Sequence, residues 1–231
     1  MTIALSIKVN DGLVFAADSA STMAIVDTSG NVSGVAAVYN NANKVFNLRK
    51  GLPIGAMTWG LGSIGVESIE TLVKDLRVEL TEDGTSAQTL PIDRHAYTIQ
   101  EVASRLFSFI YEDRYKPLYP DRTKLNPAMG FIVGGYSAGR RRAEEFRLEI
   151  DEVGNCNGPV EIYPGEVGAI TWHGEPEAIF RLIPGFGTRL PEVLEHSLGV
   201  PAHQIPQVIN VLINELSAPI FNAAMPIQDA I

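Results

Sequence analysis

The order in which strand-like and helix-like stretches alternate constrains this chain more than any other feature. Ala4 to Val9 and Leu13 to Asp18 are short β-rich runs separated by Asn10-Asp11-Gly12. An Asx-Gly pair between two such runs predicts a hairpin, because these residues tolerate the positive φ of a tight turn. Ser19 to Asn43 is rich in Ser, Thr, Gly and Asn and predicts a long loop, with one strand at Val35 to Tyr39. Lys44 to Leu48 and Pro53 to Trp59 form a second strand pair around Arg49-Lys50-Gly51.

Helical spacing then takes over. Ile69, Leu72, Val73, Leu76 and Leu80 share one face, as do Ile99, Val102, Ala103, Leu106 and Ile110, with a loop between the two helices. Strands return at Gly130 to Tyr136, Phe146 to Ile150 and Gly168 to Trp172, followed by helical stretches at Pro191 to Leu198 and Pro206 to Ser217. Runs of strands followed by runs of helices predict an antiparallel α+β layered fold rather than alternating βαβ units. No repeat, low-complexity tract or linker interrupts the pattern, so residues 1–231 are expected to form a single domain.

Composition narrows the function classes. Hydrophobic residues make up 45% and charged residues 19%, which suits a globular chain with a sizeable core. A net charge of −9 argues against nucleic acid or an anionic membrane as a partner. The basic run Arg140-Arg141-Arg142 stands beside Glu144 and Glu145 and reads as a solvated hairpin tip. Cys156 is the only cysteine, so no intrachain disulfide forms, and a reducing compartment fits. The N-terminus lacks the apolar core of a signal peptide, and no apolar run reaches the roughly 18 residues that a membrane span needs. A soluble, cytoplasmic protein is expected.

Three motifs compete for a chemical role. Gly60-Leu61-Gly62-Ser63-Ile64-Gly65 satisfies G-x-G-x-x-G, but a dinucleotide site also needs a parallel βαβ unit. The next element here is another helix. A glycine turn of this kind still points free N–H groups at whatever lies above it, which suits an anion or a developing oxyanion. Gly135-Tyr136-Ser137-Ala138-Gly139 fits the letters of a nucleophile elbow but precedes a strand, so a hairpin turn explains it better. The four histidines are scattered without metal-ligand spacing, and no metal or organic cofactor is expected. His173, in a strand-to-helix turn, either lines a site or satisfies local hydrogen bonds.

Thr2 is the remaining candidate. A small residue behind the initiator methionine favours its removal, which would leave a threonine carrying both hydroxyl and α-amine. The amine, with a reference pKa of about 7.7 to 8.0, can act as general base for its own Oγ.

The stretch Thr2-Ile3-Ala4-Leu5-Ser6-Ile7-Lys8, followed by Gly12-Leu13-Val14-Phe15-Ala16-Ala17-Asp18-Ser19, resembles the N-terminus of proteasome β-type subunits and bacterial proteasome-like peptidases. The segment from Asn43 to Gly65 is similar to that family's next conserved block and places Lys44 at its catalytic lysine. The resemblance implies a four-layer αββα sandwich of two antiparallel sheets, the N-terminal nucleophile hydrolase fold. It implies peptide-bond hydrolysis through an acyl-threonine ester, with Thr2, Asp18 and Lys44 as the catalytic set. Backbone N–H groups at Trp59 and Gly60 would form the oxyanion hole. It further implies assembly into a ring or similar closed homo-oligomer, peptide or unfolded-protein substrates, and an ATPase unfoldase as a possible partner.

Several features depart from the family. The segment between Asp18 and Lys44 is longer, Trp59 stands where the family has a glycine, and Gly174-Glu175-Pro176 replaces a serine-containing turn. The chain ends at Ile231 in what reads as the start of another amphipathic helix, so the domain is expected to be C-terminally incomplete and to lack its closing strands. Two other readings keep the fold: an amidase for a small amide, and a non-catalytic scaffold subunit.

Overall fold

The computed structural model describes residues 2–26, 32–81, 91–166, 168–218 and 220–231. Met1 and part of the predicted inter-helix loop, residues 82–90, lie outside them. The chain divides into two compact units, residues 1–174 with 223–231, and residues 175–222.

In the first unit, β1 (Ile3–Val9) and β2 (Gly12–Ala17) form the predicted hairpin, with Val9 opposite Gly12. Neither Asn10 nor Asp11 takes a positive φ, so the hairpin is not built on the turn that its Asx-Gly pair suggested. A Cβ at Gly12 would meet the tip of the Ile227 side chain, and Asn10 N–H donates to the Ala223 carbonyl. The C-terminal segment thus packs on this hairpin as a 3-10 turn, Ile227–Ala230, where the sequence suggested the opening of an amphipathic helix.

The predicted loop after Asp18 contains two strands rather than one. β3 (Ser21–Val26) and β4 (Val32–Tyr39) make a separate two-stranded sheet with two register shifts. Strands β5 (Val45–Asn47) and β6 (Ile54–Gly60) follow, then a small hairpin of β7 (Ser63–Ile64) and β8 (Glu67–Ser68). This hairpin falls inside the glycine-rich motif, so the motif does not run directly from strand to helix.

Helices α1 (Ile69–Thr81) and α2 (Ile99–Phe107) bury the apolar faces read from their spacing. Thr98 caps α2 by accepting a 3.0 Å hydrogen bond from Glu101 N–H. The second helical run does not end at Ile110. It widens into a π-helical segment, Ser108–Tyr115, and closes with the short α3 (Lys116–Leu118). The rings of Phe107, Tyr111, Tyr115 and Tyr119 pack successively along it.

Strands β9 (Met129–Gly135), β10 (Glu144–Ile150), β11 (Val160–Glu161) and β12 (Ala169–Gly174) complete the unit. The two larger sheets among the described residues are ordered β12-β1-β2 and β11-β10-β9-β6-β5. All strand pairings among the described residues are antiparallel, which leaves no parallel βαβ unit for a dinucleotide.

Strand alternation assigns the two faces of the larger sheet. Ile54, Ala56, Met129, Phe131, Val133, Phe146 and Leu148 face the helices, in one core with Leu72, Leu76, Val102 and Leu106. Met57, Trp59 and Ile132 face the smaller sheet and pack with Ala4. The order of layers in this unit is therefore helices, sheet, sheet.

The layer between the sheets is partly polar. Ser6 Oγ donates to the Glu145 carboxylate, and both residues are buried. Burial pushes the Glu145 carboxyl above its ordinary value, although the Ser6 hydroxyl and the Lys8 charge pull the other way.

The second unit is helical, with α4 (Glu177–Leu182), α5 (Leu190–His196) and α6 (Ile205–Leu216). Helices α5 and α6 each carry a proline in their first turn, where the missing N–H costs nothing. Ala218 N–H donates to the Ile183 carbonyl, which returns the end of α6 to the end of α4.

Candidate active site

Three of the predicted residues meet at the start of β1. The β1–β2 hairpin carries Asp18 back beside Thr2, and this return is tied by backbone bonds at both ends. Ile3 N–H donates to Asp18 Oδ1 at 2.8 Å, Ala20 N–H donates to Asp18 Oδ2 at 3.0 Å, and Asp18 N–H donates to the Ile3 carbonyl. Lys44 immediately precedes β5, where its carbonyl accepts Thr58 N–H at 2.9 Å. Its side chain crosses from the five-stranded sheet to the three-stranded one.

There the ammonium donates to Thr2 Oγ1 at 2.8 Å, to the two Asp18 oxygens at 3.0 and 3.1 Å, and to the Ala20 carbonyl at 2.6 Å. Its three protons are fully engaged, one of them shared by the carboxylate. Thr2 and Lys44 are buried, whereas Asp18 keeps some solvent contact. Burial works to raise the Asp18 pKa, but the Ile3 N–H, Lys44 and the Ala20 N–H outweigh it and hold the carboxyl below its ordinary value. Asp18 is an anion at neutral pH and keeps the lysine in place.

The hydrogen-bond direction has a chemical consequence. Thr2 Oγ accepts from Lys44, so its own proton points elsewhere. A lysine ammonium in this position favours negative charge on that oxygen.

Gly60 lies at the end of β6 with φ at +85°, and a Cβ there would press on the Ala128 carbonyl and Met129 Cα. The ladder shows where its amide points. Leu61 N–H donates to the Ala128 carbonyl and Thr58 N–H to that of Lys44. By alternation the Gly60 amide faces the β5 edge, one step beyond Lys44, while the Trp59 amide faces β9. The Trp59 side chain does not enter this space. It is buried between the sheets, over Gly130, whose absent Cβ leaves room for the indole. Ser21, at the start of β3, lies beside Gly62 and borders the same region.

Two residues at this site carried no clear signal in the sequence. Gly174 ends β12 opposite Ile3 with φ at +85°, and a Cβ there would overlap the Thr2 carbonyl oxygen. His173 stacks on Trp59 with ring centroids 4.0 Å apart and 9° between planes. Among the described residues its buried Nε2 has no hydrogen-bond partner. Burial foremost, and the charge of Arg147, lower its pKa to about 4.

The competing motifs take structural places. Ser137 Oγ accepts a 2.9 Å bond from Ile99 N–H and donates to the Glu144 carboxylate, in the connection between β9 and β10. No group of three or more His, Cys, Asp or Glu side chains suited to a metal occurs among the described residues. No helix among them is long and apolar enough to cross a membrane.

No family model matches the chain, and no curated protein does. Among solved structures it is similar to Anbu from Hyphomicrobium sp. strain MC1, with 17% identity and a TM-score of 0.45. The match covers 75% of this chain, which spans about 60% of the length of that one.

Proposed function

We propose that this chain is a threonine-type N-terminal-nucleophile hydrolase of the proteasome β-type kind, cleaving peptide bonds through Thr2 after loss of Met1. The observation that carries this reading is the Lys44 ammonium, held by Asp18 and donating to Thr2 Oγ1 at 2.8 Å. A buried lysine aimed at a hydroxyl oxygen by a fixed carboxylate suits a nucleophile that must bear negative charge as it attacks.

Removal of Met1 frees the Thr2 amine to take the hydroxyl proton. Oγ attacks the substrate carbonyl, and the Gly60 amide receives the developing oxyanion. Collapse breaks the C–N bond, the leaving amine takes the proton, and an ester remains on Thr2. Water attacks that ester under the same base, releasing the acid and restoring the hydroxyl. No metal or organic cofactor takes part. The helix–sheet–sheet order of the first unit supports three layers of the family's αββα sandwich. The same resemblance supports a closed homo-oligomer taking peptide or unfolded-protein substrates, with an ATPase unfoldase as feeder.

The test is the mass of the mature protein, combined with labelling by a peptidyl epoxyketone, which reacts with both hydroxyl and amine of an N-terminal threonine. A chain that begins at Thr2 and gains one adduct, lost in Thr2→Ala, supports the reading. An intact Met1 on the purified protein would sink it.

A further inference from the structure

Gly174, which lies against the Thr2 carbonyl, and Gly60, which ends β6, share a sequence context. Each takes φ +85°, each is held against backbone, and each directly follows an aromatic ring. Trp59 precedes Gly60 in the five-stranded sheet, and His173 precedes Gly174 in the three-stranded sheet. These two rings stack on one another face to face.

The polar link between the sheets at this end is Lys44, which grips the side chains of Thr2 and Asp18. The aromatic pair adds a contact between the strand ends that carry Gly60 and Gly174. The indole is seated over Gly130 in the larger sheet, and the imidazole is fixed by the β1–β12 ladder through the Ala4–His173 pair. Displacing one ring relative to the other would shift the carbonyl seat of Thr2 against the turn that ends in Gly60. An Nε2 without a partner among the described residues fits a ring kept for its flat face. The imidazole also remains uncharged at neutral pH, so no ionic charge has to be desolvated to stack it.

We infer that the Trp59–His173 stack is a positioning device that sets the Gly60 amide relative to Thr2, and so governs the rate of acyl transfer rather than ligand binding. The inference rests on the reading of Thr2 as nucleophile. Neither ring touches the reacting atoms, so both are positioning residues. A misplacement of about 1 Å can cost on the order of 100-fold in such a step.

The experiment follows acylation of the full-length protein by a β-lactone probe, read by intact mass across probe concentrations to separate limiting rate from half-saturation. His173→Ala and Trp59→Ala should lower the limiting rate by about 10-fold or more and leave half-saturation within about twofold. His173→Phe, which keeps a stacking face, should recover the rate to within about threefold of the native chain. The double alanine variant should be no slower than the worse single one, because one contact is lost in each. His173→Leu fills the space without an aromatic face, and its slowing keeps the test open if the alanine variants do not fold. Native rates in His173→Leu, or failure of His173→Phe to recover, overturns the inference while leaving Thr2 as nucleophile. A native chain that gains no adduct on Thr2 overturns both.

Discussion

Lys44 Nζ stands 2.8 Å from Thr2 Oγ1 and 3.0 Å from Asp18 Oδ1, so one ammonium joins the residue that precedes β1 to the residue that follows β2. The lysine comes from the other sheet, and the contact therefore depends on how the two sheets stack. Lys44→Met should keep the apolar stem and lose the charge. Acylation of Thr2 by a β-lactone is expected to fall by about 100- to 1000-fold, as when an oxyanion donor is removed. Lys44→Arg should not restore it, because a planar guanidinium cannot place donors on Thr2, Asp18 and the Ala20 carbonyl together.

Asp18 contributes stability in a defined pH range. Its folded pKa lies below the ordinary carboxylate value, so the contribution is complete above the unfolded pKa of about 3.9 and is lost as pH falls through the lower folded value. Asp18→Asn removes the titration and weakens the grip on Lys44. Thermal unfolding of the native chain and this variant should differ most near neutral pH and converge in strong acid. A constant gap across the acid range would contradict the assignment.

Glu145 behaves in the opposite sense. Burial raises its folded pKa despite the Ser6 hydroxyl and Lys8, so the folded state holds its proton more tightly than the unfolded chain does. Stability then falls as pH rises from the unfolded value of about 4.3 through the folded one. Glu145→Gln keeps a partner for Ser6 and cannot ionise. Its unfolding midpoint, relative to the native chain, should rise progressively as the pH is raised from 4 towards neutrality.

Much of this architecture is readable locally, and the reasons for the exceptions are physical. The β1–β2 hairpin and the faces of α1 and α2 show periods that burial imposes, so sequence and structure agree there. β3 carries no strand signal because its segment is rich in Ser and Thr, and Ile25, Val35, Val38 and Tyr39 in the β3–β4 hairpin are exposed. Without a buried face, such a strand shows no clean alternation. The role of Gly174 is set by its contact with the Thr2 backbone, distant in sequence, so no local pattern reports it. The stack of His173 on Trp59 is hidden for the same reason. Thr2, Asp18 and Lys44 are legible only as a set, through the family resemblance of the stretches that carry them.

Ser137 separates a nucleophile from a structural hydroxyl. Its Oγ is engaged by Ile99 N–H and the Glu144 carboxylate, so it has no role at Thr2. Ser137→Ala should cost about 1 to 3 kcal/mol in chemical unfolding, because the buried Ile99 amide loses its acceptor. Acylation of Thr2 should proceed at the native rate.

Gly174 is the residue whose side chain must be absent for Thr2 to sit where it does. A left-handed non-glycine residue costs about 1 to 3 kcal/mol, and at Gly174 the added Cβ would also displace the Thr2 carbonyl. Gly139 provides the control, since it has φ +74° with nothing within 4 Å of its Cβ position. Gly139→Ala should show the backbone cost alone and native acylation. Gly174→Ala should be less stable than that variant and should also acylate Thr2 at least about 10-fold more slowly, because Oγ moves away from Lys44. Urea unfolding and the β-lactone assay on the same two proteins separate the effects. Equal behaviour of the two variants would show that the close approach of Gly174 does not hold Thr2 in place.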